Sequence, residues 1–286
     1  MPTNEQRRAT AKRKLDRQLE RRAAQQRKRR ILTIVGSAVA AVVVVGAVVA
    51  TYVINQDSGG STTASASTTT PAQPAAQGQL PAFVAPADLG ADCQYPSAGQ
   101  ASKQVNPPRT GKVPTDPATV SVSMVTTQGN IGLQLDNGKA PCTVNSFASL
   151  AGQNYFNDTP CHRLTSGGLS VLQCGDPTGS GSGGPGYKFA NEYPTNQYQP
   201  DNPALQDPVL YPRGTVAMAN AGPGTNGSQF FLVYQDSHLP PNYTVFGTID
   251  DTGLATLDKI AAGGIRGGAG DGAPTLPVEL KSVALD

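Results

Sequence analysis

Residues 31–54 read ILTIVGSAVAAVVVVGAVVATYVI, 24 consecutive residues without a charge. No other stretch narrows the possible folds so far, because an apolar run of this length is not what a strand or a loop of a small domain looks like. As a helix rising about 1.5 Å per residue it extends roughly 36 Å, enough to cross a hydrocarbon core of about 30 Å with some tilt. A cleaved signal peptide is the rival, with Val48-Val49-Ala50 as a small-residue cleavage site. The apolar part of a signal is usually only about 7 to 15 residues long, which favours an uncleaved anchor. Residues 1–30 carry twelve Lys/Arg against three acidic residues, a net of +9. The positive-inside rule therefore expects a single-pass protein of the cell membrane, its N-terminus cytoplasmic and the chain beyond residue 54 extracytoplasmic. The overall charge of +2 conceals a body of 256 residues carrying −7. The basic tail has no aromatic to stack on a base, so its charge is read as topogenic and no nucleic-acid partner is expected.

Residues 55–117 form a Ser/Thr/Ala/Pro-rich linker, typified by STTASASTTTPAQPAAQ at 61–77. Such a segment buries too little apolar surface to offset its ordering entropy. Cys93 and Tyr95 suggest that its last part, from about Asp92, packs back on the neighbouring domain. The texture changes at 118–286, the expected folded domain. Val120, Val122 and Met124 alternate with polar residues, Gln128-Gly129-Asn130 turns the chain, and Ile131, Leu133 and Leu135 alternate again, which predicts a β-hairpin. Pro141 suits a first helical turn, with Val144, Phe147 and Leu150 on one face and Gly152 as the stop. Leu254, Leu257 and Ile260 mark a second helix ended by Gly263-Gly264. Short strands and Gly/Pro-rich loops make up the rest, so the expected class is mainly β, an antiparallel barrel with helices over its ends.

Cysteine and histidine chemistry is sparse. His162 and His238 are the only histidines and no Cys-x-x-Cys occurs, so no metal is expected. Cys161 beside His162 suggests a thiol nucleophile, yet successive side chains of a strand face opposite ways, which argues against a dyad. His162 is read instead as a core histidine with a backbone partner. GSGSGG at 179–184 matches the glycine spacing of a dinucleotide loop, but no helix follows and Pro185 interrupts it. It is expected to be a flexible loop beside a groove, and no cofactor is implied.

Four blocks occur in one order: HRL at 162–164, LQCGDPTGSGSGGPGYKF at 172–189, VAMANAGPGTNGSQFFLVY at 216–234 and LPPNYTVFGTI at 239–249. Together they resemble the cyclophilin family of peptidyl-prolyl cis-trans isomerases, over about residues 118–286, in a membrane-anchored bacterial form. The resemblance implies an eight-stranded antiparallel barrel capped by two helices, Pro-containing polypeptide clients and no cofactor. It further implies Arg163 as the catalytic cation and Gln173 as its holder and a substrate contact. Phe231 would be the floor of a prolyl pocket, with Ala219, Asn220 and Gln229 lining the groove. Leu239 and Tyr243 would form the far wall. His238 stands where cyclosporin-sensitive relatives often carry Trp, and the chain has no Trp, so cyclosporin binding is expected to be weak. Two extra residues separate Arg163 from Gln173, and the usual aromatic is missing there, leaving Leu169 or Ser170 and then Val171 to complete the pocket.

The four cysteines, Cys93, Cys142, Cys161 and Cys174, are most economically two disulfides if the domain lies in an oxidising compartment. A symmetric turn at Gly167-Gly168 would face Cys161 with Cys174. The isomerase reading needs Arg163 and Gln173 on one face, hence an extra loop residue or a bulge, which puts those two cysteines on opposite faces. Bridges to Cys93 and Cys142 are then favoured, with all three connectivities open.

Overall fold

The computed structural model of the chain describes residues 78–286. Residues 31–54 lie outside them, and among the described residues no helix is long and apolar enough to cross a membrane. The membrane localisation drawn from that segment is corrected on this finding, the expected anchor itself lying outside the described residues.

Strands β1 (Thr119–Thr126) and β2 (Gly129–Asp136) pair antiparallel, Val122 opposite Leu133 and Met124 opposite Ile131. Those four side chains are buried, as the period-two pattern requires. Helix α1 (Pro141–Gly152) follows, with Pro in its first turn. Its own Ala140 offers no side-chain cap. The carboxylate of the distant Glu192 takes that role, accepting from the backbone N–H of Cys142 at 3.0 Å and of Thr143 at 2.8 Å, and from the Thr143 hydroxyl at 2.7 Å. A helix start leaves such donors without intrahelical partners, so a buried acid from elsewhere closes the account. Phe147, on the inner face of α1, sits against Phe156, Phe230 and Phe246 with ring centroids 4.9 to 5.6 Å apart.

The remaining strands are β3 (Thr159–Pro160), β4 (Arg163–Thr165), β5 (Val171–Cys174), β6 (Val209–Tyr211), β7 (Thr215–Met218), β8 (Phe230–Val233), β9 (Ser237–Leu239), β10 (Val245–Ile249), β11 (Asp271–Gly272) and β12 (Glu279–Leu285). Helix α2 (Asp251–Ala262) lies between β10 and β11 and is capped by the Asp250 side chain on the N–H of Gly253. Ten strands form one sheet in the order β11-β4-β5-β8-β7-β10-β2-β1-β12-β3, and β6 pairs with β9 separately. Over the described residues the architecture is a mainly β half-barrel with two α-helices. The large sheet is an open ladder, with the two-residue strands β11 and β3 at its ends.

Every residue of β7 and β8 is buried. Both faces of these strands are covered, so they read as continuous apolar runs rather than alternating ones. Phe230 and Leu232 join the main core beneath the helices, whereas Phe231, Val233 and Ala217 join a second apolar cluster on the opposite face with Val171 and Tyr211. That second cluster is the floor on which the site is built.

The linker expectation also changes. Packing begins at Gly78 rather than near Asp92, with Gln79 bridging Leu210 and the Tyr193 hydroxyl donating to the Pro81 carbonyl at 2.8 Å. Cys93, Tyr95 and Val113 belong to the main core. Polar composition concealed this because a few apolar anchors suffice once a disulfide and a finished domain surface are available. The disulfides are Cys93 with Cys142 and Cys161 with Cys174. The second corrects the favoured pairing. Arg163 does face Gln173, so alternation would separate these cysteines. Cys161 and His162, however, lie before the first paired residue of β4, and the Cys161 N–H instead donates to the Val278 carbonyl at 2.9 Å. Out of the ladder it is free to turn into the core, where Cys174 already points.

Replacing Phe147 with Ala should cost about 3–5 kcal/mol, the usual range for emptying a buried aromatic site. Urea unfolding measures it, and a loss below about 1 kcal/mol would contradict its place at the aromatic centre of the core.

Candidate active site

Strands β4 and β5 put Arg163 directly opposite Gln173, both on the face away from the main core, while their neighbours Leu164 and Leu172 are buried in it. The loop Ser166–Ser170 absorbs the extra length between them. Arg163 donates through Nη1 to Gln173 Oε1 at 3.0 Å. Its Nε and Nη2 form a forked pair with Asp271 Oδ1 and Oδ2 at 2.8 and 2.7 Å. Asp271 stands in β11, next to β4 at the sheet edge, over a hundred residues further along the chain. Nothing in the local sequence signals it, and the sequence reading missed it. The hydrogen bond to Asp271 raises Arg163 above its ordinary pKa against the cost of partial burial, and the same bond lowers Asp271.

The polar chain continues. Gln173 Nε2 donates to Gln229 Oε1 at 2.8 Å, and Gln229 Nε2 donates to the carbonyls of Gly181 and Gly183 at 3.0 and 2.9 Å. A guanidinium can only donate and a carbonyl can only accept, so both amide orientations are dictated from the two ends. The glycine loop is itself tied from behind. Asp176, fully buried, accepts from the N–H groups of Thr178, Gly181 and Gly183 at 2.8, 2.7 and 3.0 Å and from the Thr178 hydroxyl at 2.8 Å. Burial pushes this carboxyl up, but these bonds together outweigh it and hold it below its ordinary value. A Cβ at Gly183 would lie 1.9 Å from Asp176 Oδ1, which is why glycine stands there. The loop expected to be flexible is therefore tethered from both sides.

Beside Arg163 lies a cavity of about 140 Å³, lined by Gln173, Val171, Leu169, Phe231, Leu239 and Tyr243 together with Ala219 and Asn220. That is the space of about four or five waters, suited to a five-membered ring. Phe231 and Tyr243 meet edge to face at 5.8 Å. Gln229 lies next to this cavity and lines a larger one of about 590 Å³, which shares Gln173, Ala219 and Asn220. His238 is not brought in. It is exposed on β9, whose alternation turns Leu239 inward and His238 outward. The Asn220 side chain is already engaged, donating to the Asn242 carbonyl at 2.8 Å and accepting from the Gly222 N–H at 3.1 Å.

His162 departs from expectation as well. Both of its ring nitrogens are buried without a partner. Burial lowers its pKa, the charge of Asp176 opposing and that of Arg163 adding to the shift. It is a neutral packing residue and not a base, since Cys161 is committed to a disulfide. Among the described residues no group of three His, Cys, Asp or Glu side chains could hold a metal ion.

The sequence model of the family described as cyclophilin type peptidyl-prolyl cis-trans isomerase/CLD matches residues 121–285. A relative from Mycobacterium leprae, named probable peptidyl-prolyl cis-trans isomerase B, is 65% identical over the whole of both chains. A Mycobacterium tuberculosis relative of the same name is 68% identical, covering 100% of this chain and 95% of its own. The human peptidyl-prolyl cis-trans isomerase-like 3 is 41% identical over 49% of this chain and 81% of its own. The chain belongs to the cyclophilin-type peptidyl-prolyl cis-trans isomerases, and its activity is isomerisation of the peptide bond before proline.

Two expectations come from this geometry. Asp271→Asn keeps the shape but loses the forked ion pair, and kcat on an X-Pro peptide should fall about tenfold with little change in KM, the pattern of an interaction realised in the transition state. Asp271→Glu should recover part of that loss, and equal falls in binding and rate would argue against a positioning role. For Asp176, a depressed folded-state pKa contributes stability that is complete above the unfolded value near about 3.9 and is lost as pH falls through the folded value. The stability difference between wild type and Asp176→Asn, followed by thermal melting, should therefore be largest near neutral pH and shrink on acidification below about pH 4.

Proposed function

We propose that Arg163 catalyses the rotation by donating to the prolyl nitrogen while the amide is twisted. The observation that carries this is how its donors are used. Three of the five N–H groups of the guanidinium are engaged by Asp271 and Gln173, which leaves two beside the apolar cavity. Amide resonance sets a barrier of about 18–20 kcal/mol, and no bond between heavy atoms has to break. The site therefore needs only to bind the twisted amide better than either planar form. Twisting removes conjugation and returns a lone pair to the prolyl nitrogen, and a cation held in place gains most at that moment.

In this reading the 140 Å³ cavity takes the pyrrolidine ring, with Phe231 as floor and Leu239 and Tyr243 as far wall. Leu169 and Val171 complete the side that lacks an aromatic. Gln173 and the main chain of Asn220 hold the client backbone, the Asn220 side chain being spent on Gly222 and Asn242. Gln229 acts behind Gln173 by fixing its amide. Clients are proline-containing polypeptide segments whose uncatalysed isomerisation takes tens to hundreds of seconds. A groove that only holds such segments, with little turnover, is the competing reading, and a cation already pinned beside the pocket favours catalysis over it.

Measuring cis-to-trans exchange of a short X-Pro peptide tests the assignment. Arg163→Ala should lower kcat/KM by about 10²–10³, comparable to removing one preorganised transition-state donor. Arg163→Lys should restore little, because an ammonium cannot reproduce the fork to Asp271. An unchanged rate in the Ala variant would sink the role, and peptide binding retained without any wild-type turnover would favour the holding reading. Cyclosporin should bind weakly, since His238 faces away from the cavity and the chain has no Trp. Titration calorimetry checks this, and affinity equal to that of Trp-bearing relatives would refute it.

A further inference from the structure

The segment 93–113 precedes the residues shared with the family, which begin at 121. It is nevertheless built into the domain. Cys93 is bridged to Cys142 on α1, and the Tyr95 hydroxyl donates to the Cys142 carbonyl at 2.6 Å while its ring meets Tyr187 and Phe189 edge-on. Further along, Lys103 Nζ donates to the carbonyls of Asn154, Tyr155 and Asn157 beyond the end of α1, at 2.7, 3.3 and 3.1 Å. Pinned at both ends, residues 96–102 run along the glycine loop. The N–H of Lys188 reaches the Pro96 carbonyl at 3.1 Å, that of Ala98 reaches the Gly186 carbonyl at 2.8 Å and that of Ser102 reaches the Gly184 carbonyl at 2.9 Å. Ser102 Oγ accepts in turn from the Gly184 N–H at 3.0 Å. A Cβ on Gly186 would come 3.0 Å from the Ala101 nitrogen, so the two segments lie as close as glycine permits.

This strap supplies Ala98, Gln100 and Ser102 to one wall of the 590 Å³ cavity, whose other side is shared with the prolyl pocket through Gln173, Ala219 and Asn220. A client whose proline fills the small cavity has its adjoining residues within reach of the large one, since the two cavities share a wall and consecutive residues advance only about 3.3–3.6 Å. The lining mixes polar side chains with glycines and alanines, and among the described residues Lys188 is its one charged side chain. Arg163, nearby, is already paired with Asp271, so the charge of this wall is that of Lys188.

We propose that the strap 93–113 is a specificity element of the isomerase, with Gln100 and Ser102 forming a wall that selects the client side chain flanking the X-Pro pair and Lys188 favouring a carboxylate there. This rests on the isomerase reading of the neighbouring pocket. Shape selection comes from the strap and charge selection from Lys188, so the two are separable by substitution.

The test uses the full chain and X-Pro peptides in which one flanking residue, on either side in turn, is Gly, Glu, Lys or Phe. The readout is the ratio of kcat/KM values, which is insensitive to the amount of active enzyme. At one flank, wild type should prefer Glu to Lys about fivefold, the scale of a single exposed ion pair. Lys188→Glu should invert that preference. Gln100→Trp, at an exposed position, should lower the Phe-to-Gly ratio about tenfold by narrowing the cavity, with a thermal melt to verify folding. Ratios within twofold of wild type in both variants would overturn the proposal. Should Gln100→Trp fail to fold, Gln100→Ala takes its place, and an unchanged Phe-to-Gly ratio there overturns the strap's part. Failure of the underlying reading looks different, because then wild type would accelerate no peptide of the panel over the uncatalysed rate.

Discussion

The rest of the site depends on one fact about a guanidinium, that it has donors on every edge and acceptors on none. Arg163 must be held by acceptors, and the two it finds come from opposite directions, Asp271 at the sheet edge and Gln173 across the hairpin. The orientation imposed on Gln173 passes to Gln229, then to the carbonyls of Gly181 and Gly183, whose loop is anchored by Asp176 through its N–H groups. A carboxylate at each end and two amides between make a polar chain in which no member can flip alone. Partial burial strengthens each link, and it also makes a broken link expensive.

What makes that chain possible is a pair of strands with no solvent face. Because β7 and β8 are covered on both sides, the protein has a helix-backed core and, across the same strands, a second apolar cluster that ends in a pocket. The pocket floor is thus backed by the core through the same strands. The N-terminal strap extends the arrangement outward, fastened by Cys93 to α1 and laid against a loop that can accept it only where glycines remove the side chains. Selection of the client flank and stabilisation of the domain then draw on the same contacts.

Much of this was legible in the residues. The β1–β2 hairpin and both helices with their stops follow from periodicity alone, because a local apolar pattern is all they need. Family blocks brought together Arg163, Gln173, Phe231, Leu239 and Tyr243 around one cavity. Other features were not legible. His238 was carried over by position although its strand turns it outward, and Asn220 lines the groove with a side chain already engaged by Gly222 and Asn242. The bridge between Cys161 and Cys174 escaped a register argument because the chain leaves the ladder just before Arg163. Packing from Gly78 onward was hidden by a composition that reads as linker.

By itself the sequence determined the family, the opening hairpin and the two helices, which residue is the cation and which ring faces the pocket, since these rest on short-range pattern and on motifs that are contiguous in the chain. Tertiary structure alone decided what holds the cation. Asp271 reaches Arg163 from more than a hundred residues away, Glu192 caps a helix some fifty residues before it, and Ser102 pairs with Gly184 in a loop about eighty residues later. The physical reason is common to all three. A donor or acceptor drawn wholly or partly out of water must be satisfied by whatever the fold brings near, and no local pattern along the chain encodes which residue that will be.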